Sequence, residues 1–203
     1  MKGNDIYSHE VGAKNTQAEE IIDEKVNLNP RKIIISKTDK GGRILFANDY
    51  FVEVTGYSYG ELMGAPHNII RHPDMPKAVF YLMWDRLKKG RNIKAVVKNL
   101  TKSGRYYWVM TDFEIKKDPK TGDITYIAYR RPAPQKAIDS VEPLYKTLVE
   151  LEKTHGMDAS LLHLQGFIEV RHTDYDHLIE EIIRQNDSIW TRFFDKLKKN
   201  YVK

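Results

Sequence analysis

Apolar and polar residues alternate over five separate segments of this chain, and this pattern predicts a β-sheet. The first two segments are rich in β-branched residues and flank the turn Asp39-Lys40-Gly41-Gly42, which is the signature of a hairpin. The other three are joined by turns that contain Gly, Asp, Ser and Pro. The predicted strands are residues 32–37, 43–47, 95–100, 106–115 and 125–130.

Between the second and third strands the apolar residues recur at threes and fours, a spacing that predicts helices. Asn48 is the expected N-cap of a short helix over residues 49–55, and Ser58 with Glu61 has the spacing of a capping box for one further turn. A longer helix with one buried face is predicted over residues 77–89.

The order of these elements predicts an α+β domain in which five antiparallel strands carry helices on one face. No glycine-rich phosphate loop is present, so a ligand of this domain would be held by side chains in a pocket between sheet and helices. We divide the chain into an N-terminal tail (1–30) with a short helix at 18–26, a sheet-and-helix domain (31–131) and a C-terminal extension (132–203).

The C-terminal extension has the apolar spacing of three helices, over residues 135–154, 158–170 and 175–201. Pro143 either kinks the first helix or marks its start. The extension is expected to be a helical hairpin or small bundle whose apolar stripe needs a partner surface.

The composition is that of a folded globular protein. Of the 203 residues, 41% are hydrophobic and 30% are charged, and the length suits one domain with a substantial extension. No apolar run approaches the ~20 residues of a membrane-spanning helix, so we expect a cytoplasmic protein without direct membrane insertion. The absence of cysteine excludes disulfides, thiolate metal sites and a cysteinyl-flavin photoadduct.

The net charge of +5 does not indicate nucleic-acid binding, because basic and acidic residues are interspersed and no binding motif accompanies the one basic cluster at 196–199. The chain also lacks Gly-x-Ser-x-Gly, His-Glu-x-x-His and nucleotide-loop motifs, so no enzyme is predicted. The histidines of the extension lie eight, nine and five residues apart, and these spacings put no two ligands on one helical face. No metal site is predicted.

The segment His67-Asn68-Ile69-Ile70-Arg71-His72-Pro73-Asp74-Met75-Pro76 is too polar for a core element and is bounded by prolines that hold it in a rigid turn. The fork of donors on Arg71 suits a phosphate or a carboxylate, which indicates a binding loop. An alternative interpretation is a capping loop in which Asp74 serves the next helix and pairs with Arg71.

Further motifs lie on both sides of this loop. The string Ala-Asn-Asp-Tyr-Phe-Val-Glu-Val-Thr-Gly-Tyr-Ser precedes the loop at 47–58, and Val97-Lys98-Asn99 and Tyr106-Tyr107-Trp108-Val109 follow it. From about residue 36 to 131 the chain resembles a PAS sensor domain of the flavin-binding aerotaxis and energy-taxis receptor type. The resemblance implies non-covalent FAD and contacts to it from Asn48, His67, Arg71, His72, Asp74, Trp84, Asn99 and Trp108.

The resemblance is nearest to soluble energy-taxis proteins with a single PAS domain. It implies a cytoplasmic redox sensor that forms a homodimer and relays its state to a membrane chemoreceptor-type partner. Haem is an alternative cofactor, since His67 or His72 could be an axial ligand. A third possibility is an empty pocket in a domain used only for dimerisation and docking.

Overall fold

A five-stranded sheet lies at the centre of the computed structural model, which describes residues 20–170 and 175–184. The strands are β1 (Ile34–Asp39), β2 (Ile44–Ala47), β3 (Ile93–Leu100), β4 (Tyr106–Lys117) and β5 (Ile124–Pro132). They lie in the order β2-β1-β5-β4-β3, and every pairing is antiparallel. The predicted α+β class and its antiparallel sheet are therefore confirmed.

The two faces of the sheet have different partners. Successive side chains of a strand point to opposite faces, so Thr111 and Phe113 of β4 point to the inner face, where they line a cavity. Trp108, an odd number of residues away, points to the outer face and stacks on a helix of the C-terminal extension. Thr111 pairs with Arg130 of β5, so the Arg130 side chain also points to the inner face.

The inner face is covered by the segment between β2 and β3. It contains α1 (Asp49–Thr55), α2 (Tyr59–Leu62), a 3₁₀ helix (His67–Ile70) and α3 (Lys77–Lys88). The predicted N-cap is confirmed, because the Asn48 side chain accepts from the amide of Phe51. The capping box of Ser58 and Glu61 is also present.

The C-terminal extension is helical where the structure describes it, with α4 (Gln135–Thr154), α5 (Met157–Glu169) and α6 (Tyr175–Arg184). Pro143 lies inside α4, and residues 185–201 of the third predicted helix lie outside the described residues. The expectation that the apolar stripe needs another protein is corrected for α4. Its stripe, for example Val141 and Leu148, is buried in the same core as the sheet. No helix in the described part of the chain has the length and apolarity to cross a membrane.

The predicted helix at 18–26 is wrong over the residues described. Residues 20–26 are extended and lie beside the start of β4, where Lys25 forms a parallel bridge with Tyr106. The amides of Ile22 and Val26 donate to the carbonyls of Gly104 and Tyr106 at 2.8 and 2.7 Å. Backbone pairing with a neighbouring strand supplies the hydrogen bonds that a helix would otherwise make.

We expect the change Gly104→Ala to release this N-terminal segment. Gly104 has φ +85°, and a Cβ there would overlap the carbonyl oxygen of Glu20. Hydrogen exchange of the Ile22 and Val26 amides should become at least about tenfold faster, with a loss of about 1–3 kcal/mol in stability. Gly122→Ala is the matched control, because its φ is +77° and nothing lies within 4 Å. Equal exchange in both variants would contradict the proposed close approach.

Candidate ligand-binding cavity

A cavity lies between the inner face of the sheet and α3. Its empty volume is about 760 Å³, including the space at its open mouth, which is in the range of small-molecule and cofactor sites. Apolar and aromatic side chains line most of it, and a few polar groups converge at one end. The lining residues are Ser36, Thr38, Pro66, His67, Asn68, Arg71, Phe80, Met83, Trp84, Leu87, Val97, Asn99, Thr111, Phe113, Tyr126, Ala128 and Arg130.

The polar end is built around Arg130, which is only 3% exposed. Its guanidinium donates from Nη1 to Ser36 Oγ at 2.8 Å and approaches His67 Nε2 with Nη2 at 2.9 Å. Because a guanidinium can only donate, His67 Nε2 must be the acceptor and its ring proton must sit on Nδ1. The Ser36 hydroxyl lies 3.1 Å from the same nitrogen, and it also accepts from Arg130.

The electrostatics of this end follow from burial. Desolvation, with the neighbouring charges of Arg130 and Arg71, holds the pKa of His67 well below its usual value, so the ring is neutral. Desolvation also lowers the pKa of Arg130 to about 10, which leaves it protonated at neutral pH. Within the part of the chain that the structure describes, no carboxylate pairs with this guanidinium.

Two further polar groups of the cavity wall are buried without a hydrogen-bond partner. They are the side-chain amide nitrogen of Asn99 on β3 and the hydroxyl of Thr111 on β4. Both residues are at most 3% exposed. Unpaired buried polar groups are uncommon in folded proteins and call for a partner, which here would be an acceptor atom of a ligand.

Aromatic residues contribute much of the remaining lining. The rings of Trp84 on α3 and Tyr126 on β5 meet edge to face with centroids 5.4 Å apart. At the loop side, the guanidinium carbon of Arg71 lies 3.9 Å from the centre of the Phe80 ring. These aromatic groups supply apolar lining against which a ring system can pack.

Four of the eight predicted contact residues lie at the cavity: His67, Arg71, Trp84 and Asn99. Arg71 and Asn99 also form a bridge between the polar loop and the free edge of β3. The loop is therefore fixed to the sheet at the point where it contributes to the cavity. Binding roles for these four residues remain predictions.

The structure places the other four predicted residues away from the cavity. Asn48 is occupied as a cap, since its side chain also bonds the backbone of Ile35 and Ile33. Trp108 lies on the outer face against Tyr145, with ring centroids 6.3 Å apart. His72 and Asp74 lie on the outer side of the β3 edge, because alternate residues of the bridging loop point to opposite faces.

His72 and Asp74 belong to a cluster around Lys98, a side chain only 7% exposed. Lys98 Nζ donates to Asp74 Oδ2 at 2.6 Å and lies 4.4 Å from the centre of the Tyr106 ring. The backbone amide of Asp74 donates to His72 Nδ1 at 3.1 Å. The alternative interpretation, in which Asp74 pairs with Arg71, is therefore corrected, since the carboxylate pairs with Lys98.

The sequence interpretation missed Arg130, Ser36 and Thr111, the main polar contributors apart from the loop. One signal was available for Arg130. Along β5 it is in phase with Tyr126 and Ala128, so the period of two already placed a charged residue on the buried face. A cation at such a position indicates either a buried ion pair or a ligand site.

Comparison with known proteins agrees with this fold. A sequence model of the family described as PAS fold matches residues 44–129. The chain is 46% identical over 116 residues to the aerotaxis receptor of Escherichia coli strain K12, a match that covers 57% of this chain and 22% of that protein. It is 28% identical over 81 residues to the biofilm dispersion protein BdlA of Pseudomonas aeruginosa, covering 39% of this chain and 19% of that protein.

Among solved structures, the chain is similar to the PAS domain of a protein from Colwellia psychrerythraea. It is 17% identical, with a TM-score of 0.46, and the alignment covers 51% of this chain and 87% of that one. The region between β2 and β5 is thus a PAS domain related to that of aerotaxis receptors. The chain spans about a fifth of the length of the two named relatives.

We expect stability to fall with acidification through His72. Desolvation, with the nearby charge of Lys98, lowers the pKa of His72 from 6.5 to about 4. The unfolded chain therefore takes up this proton first as the pH falls from about 6.5 to 4, and the folded state loses stability over that window. Urea unfolding measures the loss of stability between pH 7.5 and pH 5. This loss should be about 1–2 kcal/mol smaller in His72→Asn than in the wild type.

The control for this experiment is His163→Asn, at an exposed position of α5. It should lose as much stability on acidification as the wild type. A pH dependence that His72→Asn leaves unchanged would show that His72 is not protected from protonation by the fold.

Proposed function

We propose that the PAS domain binds a flavin, as FAD, and that the chain is a redox sensor for energy taxis rather than an enzyme. The observation that carries the proposal is the cavity, which is lined by aromatic side chains, a buried guanidinium and two unpaired polar groups. The relation to the aerotaxis receptor supports the same choice of function.

The residues of the cavity fit a flavin. The ring system is planar and its polar edge carries carbonyl and nitrogen acceptors, which match the amide of Asn99 and the guanidinium of Arg130. Trp84 and Tyr126 would supply apolar walls for the ring, and Arg71 would supply positive charge for a phosphate. When bound, the flavin supplies the electron-transfer chemistry. The protein's part is to hold and orient the ring, exclude water and keep His67 neutral.

Haem is less well supported by this geometry. Of the two histidines considered as axial ligands, His72 lies on the outer side of the β3 edge. His67 lines the cavity, but its Nε2 accepts hydrogen bonds from Arg130 and is held beside a positive charge. A ligand to iron needs that lone pair free.

The flavin proposal predicts that Asn99→Ala and Arg71→Ala bind FAD about tenfold or more weakly, because each change leaves acceptor atoms of the ring or phosphate without a donor. The measurement is FAD affinity by fluorescence quenching, together with the visible absorbance of freshly purified protein. Asn27→Ala, at an exposed position, is the control. The absence of flavin absorbance and FAD binding in the wild-type protein would refute the proposal, and a Soret band would favour haem.

A relay from the cavity to the C-terminal extension is built into the contacts of α3. This helix lines the cavity, but Pro76 at its N-terminus offers no side-chain cap. The cap comes from the extension: Glu152 of α4 accepts from the amide of Ala78 at 2.9 Å and from Ser160 of α5 at 3.3 Å. A shift of α3 on a change of ligand state would therefore act directly on α4 and α5.

The output of the sensor, in this proposal, passes by protein contacts to a membrane chemoreceptor-type protein, with the chain itself in the cytoplasm. A homodimer is also proposed. Leu45 and Phe46 on β2, which ends the sheet, are 49% and 43% exposed and offer apolar surface for it. The partner proposal is tested by capture of chemoreceptors on immobilised full-length protein under oxidising and under reducing conditions. If no chemoreceptor is captured in either state, the proposed partner is rejected.

The relay predicts that Glu152→Ala uncouples the extension from the cavity. In the wild type, hydrogen exchange in α4 and α5 should differ between oxidised and reduced flavin. In Glu152→Ala that difference should fall to about a fifth or less, because the carboxylate that caps the α3 N-terminus is lost, at a cost of about 1 kcal/mol in stability. Glu150→Ala, exposed on the same helix, is the control. If both variants keep the wild-type difference, the signal leaves by another route.

A further inference from the structure

The cavity contains a buried positive charge whose described partners are all neutral. Arg130 bonds the hydroxyl of Ser36 and the lone pair of a neutral His67, and its remaining contacts are the rings of Phe51 and Phe113 at 5.8 and 6.0 Å. Hydrogen bonds and ring faces orient a guanidinium but do not cancel its charge. Burial of an uncompensated charge is costly, so this arrangement favours a negative partner that enters the cavity.

The polar groups around Arg130 also favour a negative partner. Thr111 pairs with Arg130 across the β4–β5 ladder, and its hydroxyl has no partner. Asn99 lies farther along the cavity wall, since it pairs with Tyr107 while Thr111 pairs with Ala95. The end of the cavity at Arg130 therefore offers one cation and the hydroxyl of Thr111 as a donor, while the lone pair of His67 is already used by Arg130.

We propose that Arg130 and Thr111 form an anion-accepting end of the cavity that makes it bind a reduced, negatively charged flavin ring more tightly than the oxidised, neutral ring. This inference rests on the proposed flavin function, and it adds that Arg130 sets the balance between the oxidised and the reduced ring. Two electrons and one proton from an external reductant leave the ring with one additional negative charge. Stabilisation of that charge by Arg130 raises the reduction potential of the bound flavin.

The test is the midpoint potential of flavin bound to the full-length protein, measured by reductive titration with dithionite against reference dyes. Arg130→Gln removes the charge and keeps a donor, so we expect the preference for the reduced ring to fall about a hundredfold. A tenfold change corresponds to about 30 mV for a two-electron couple, so the potential should fall by about 60 mV. Arg130→Lys, which keeps the charge, should restore most of the shift.

Arg91→Gln is the matched control, because Arg91 is an exposed arginine outside the cavity. Its potential should equal that of the wild type. Arg130→Gln with bound flavin and an unchanged potential would overturn the inference.

A second measurement separates a ligand-directed role from a structural one and needs no flavin. In ligand-free protein, Arg130→Met removes the buried charge while Ser36 and His67, 3.1 Å apart, can still bond each other. The thermal unfolding midpoint of this variant should be unchanged or higher, because the cost of burying an uncompensated charge is removed. A lower midpoint would show that Arg130 holds the fold together and would overturn the inference. Absence of FAD binding by the wild type, in contrast, would refute the proposed function.

Discussion

The alternation of side chains along β3, β4 and β5 is the constraint on which both halves of this structure depend. In β4, Thr111 and Phe113 face the cavity while Trp108 faces the C-terminal helices. A slip of one residue in the pairing would move the polar end of the cavity into the helix interface and Trp108 into the cavity. The antiparallel register that pairs Thr111 with Arg130 therefore defines the ligand site and the docking surface of the extension together.

This shared sheet explains how a small ligand could affect a distant helix. On the outer side, Tyr145 of α4 donates to the carbonyl of Val96 at 2.9 Å, so the extension bonds directly to the strand whose other face carries Asn99. On the inner side, Glu152 caps α3. The α4 helix is thus attached to two walls of the cavity, and a change in their separation has to be accommodated at one of these bonds.

The features that the sequence predicted well are those decided by nearby residues, such as the hairpin and the Asn48 cap. Those it predicted poorly depend on the path of the chain in space. The loop of 67–76 crosses the β3 edge, so its neighbours Arg71 and His72 end on opposite sides of the sheet. No local pattern records that crossing. The segment at 20–26 is similar, because its hydrogen bonds go to β4, about 80 residues later in the chain.

A comparison of the two most deeply buried cations of the described sheet supports our assignment of Arg130 to the proposed ligand site. Lys98, on the outer side, is 7% exposed and has its carboxylate at 2.6 Å in Asp74. That pair is complete within the fold, as expected for a structural charge. Arg130, on the inner side, is 3% exposed, and its described acceptors, Ser36 and His67, are neutral. Both cations are buried in one sheet, and the described residues supply a counter-ion to Lys98 and none to Arg130. In our proposal, the negative partner of Arg130 is a ligand that enters the cavity.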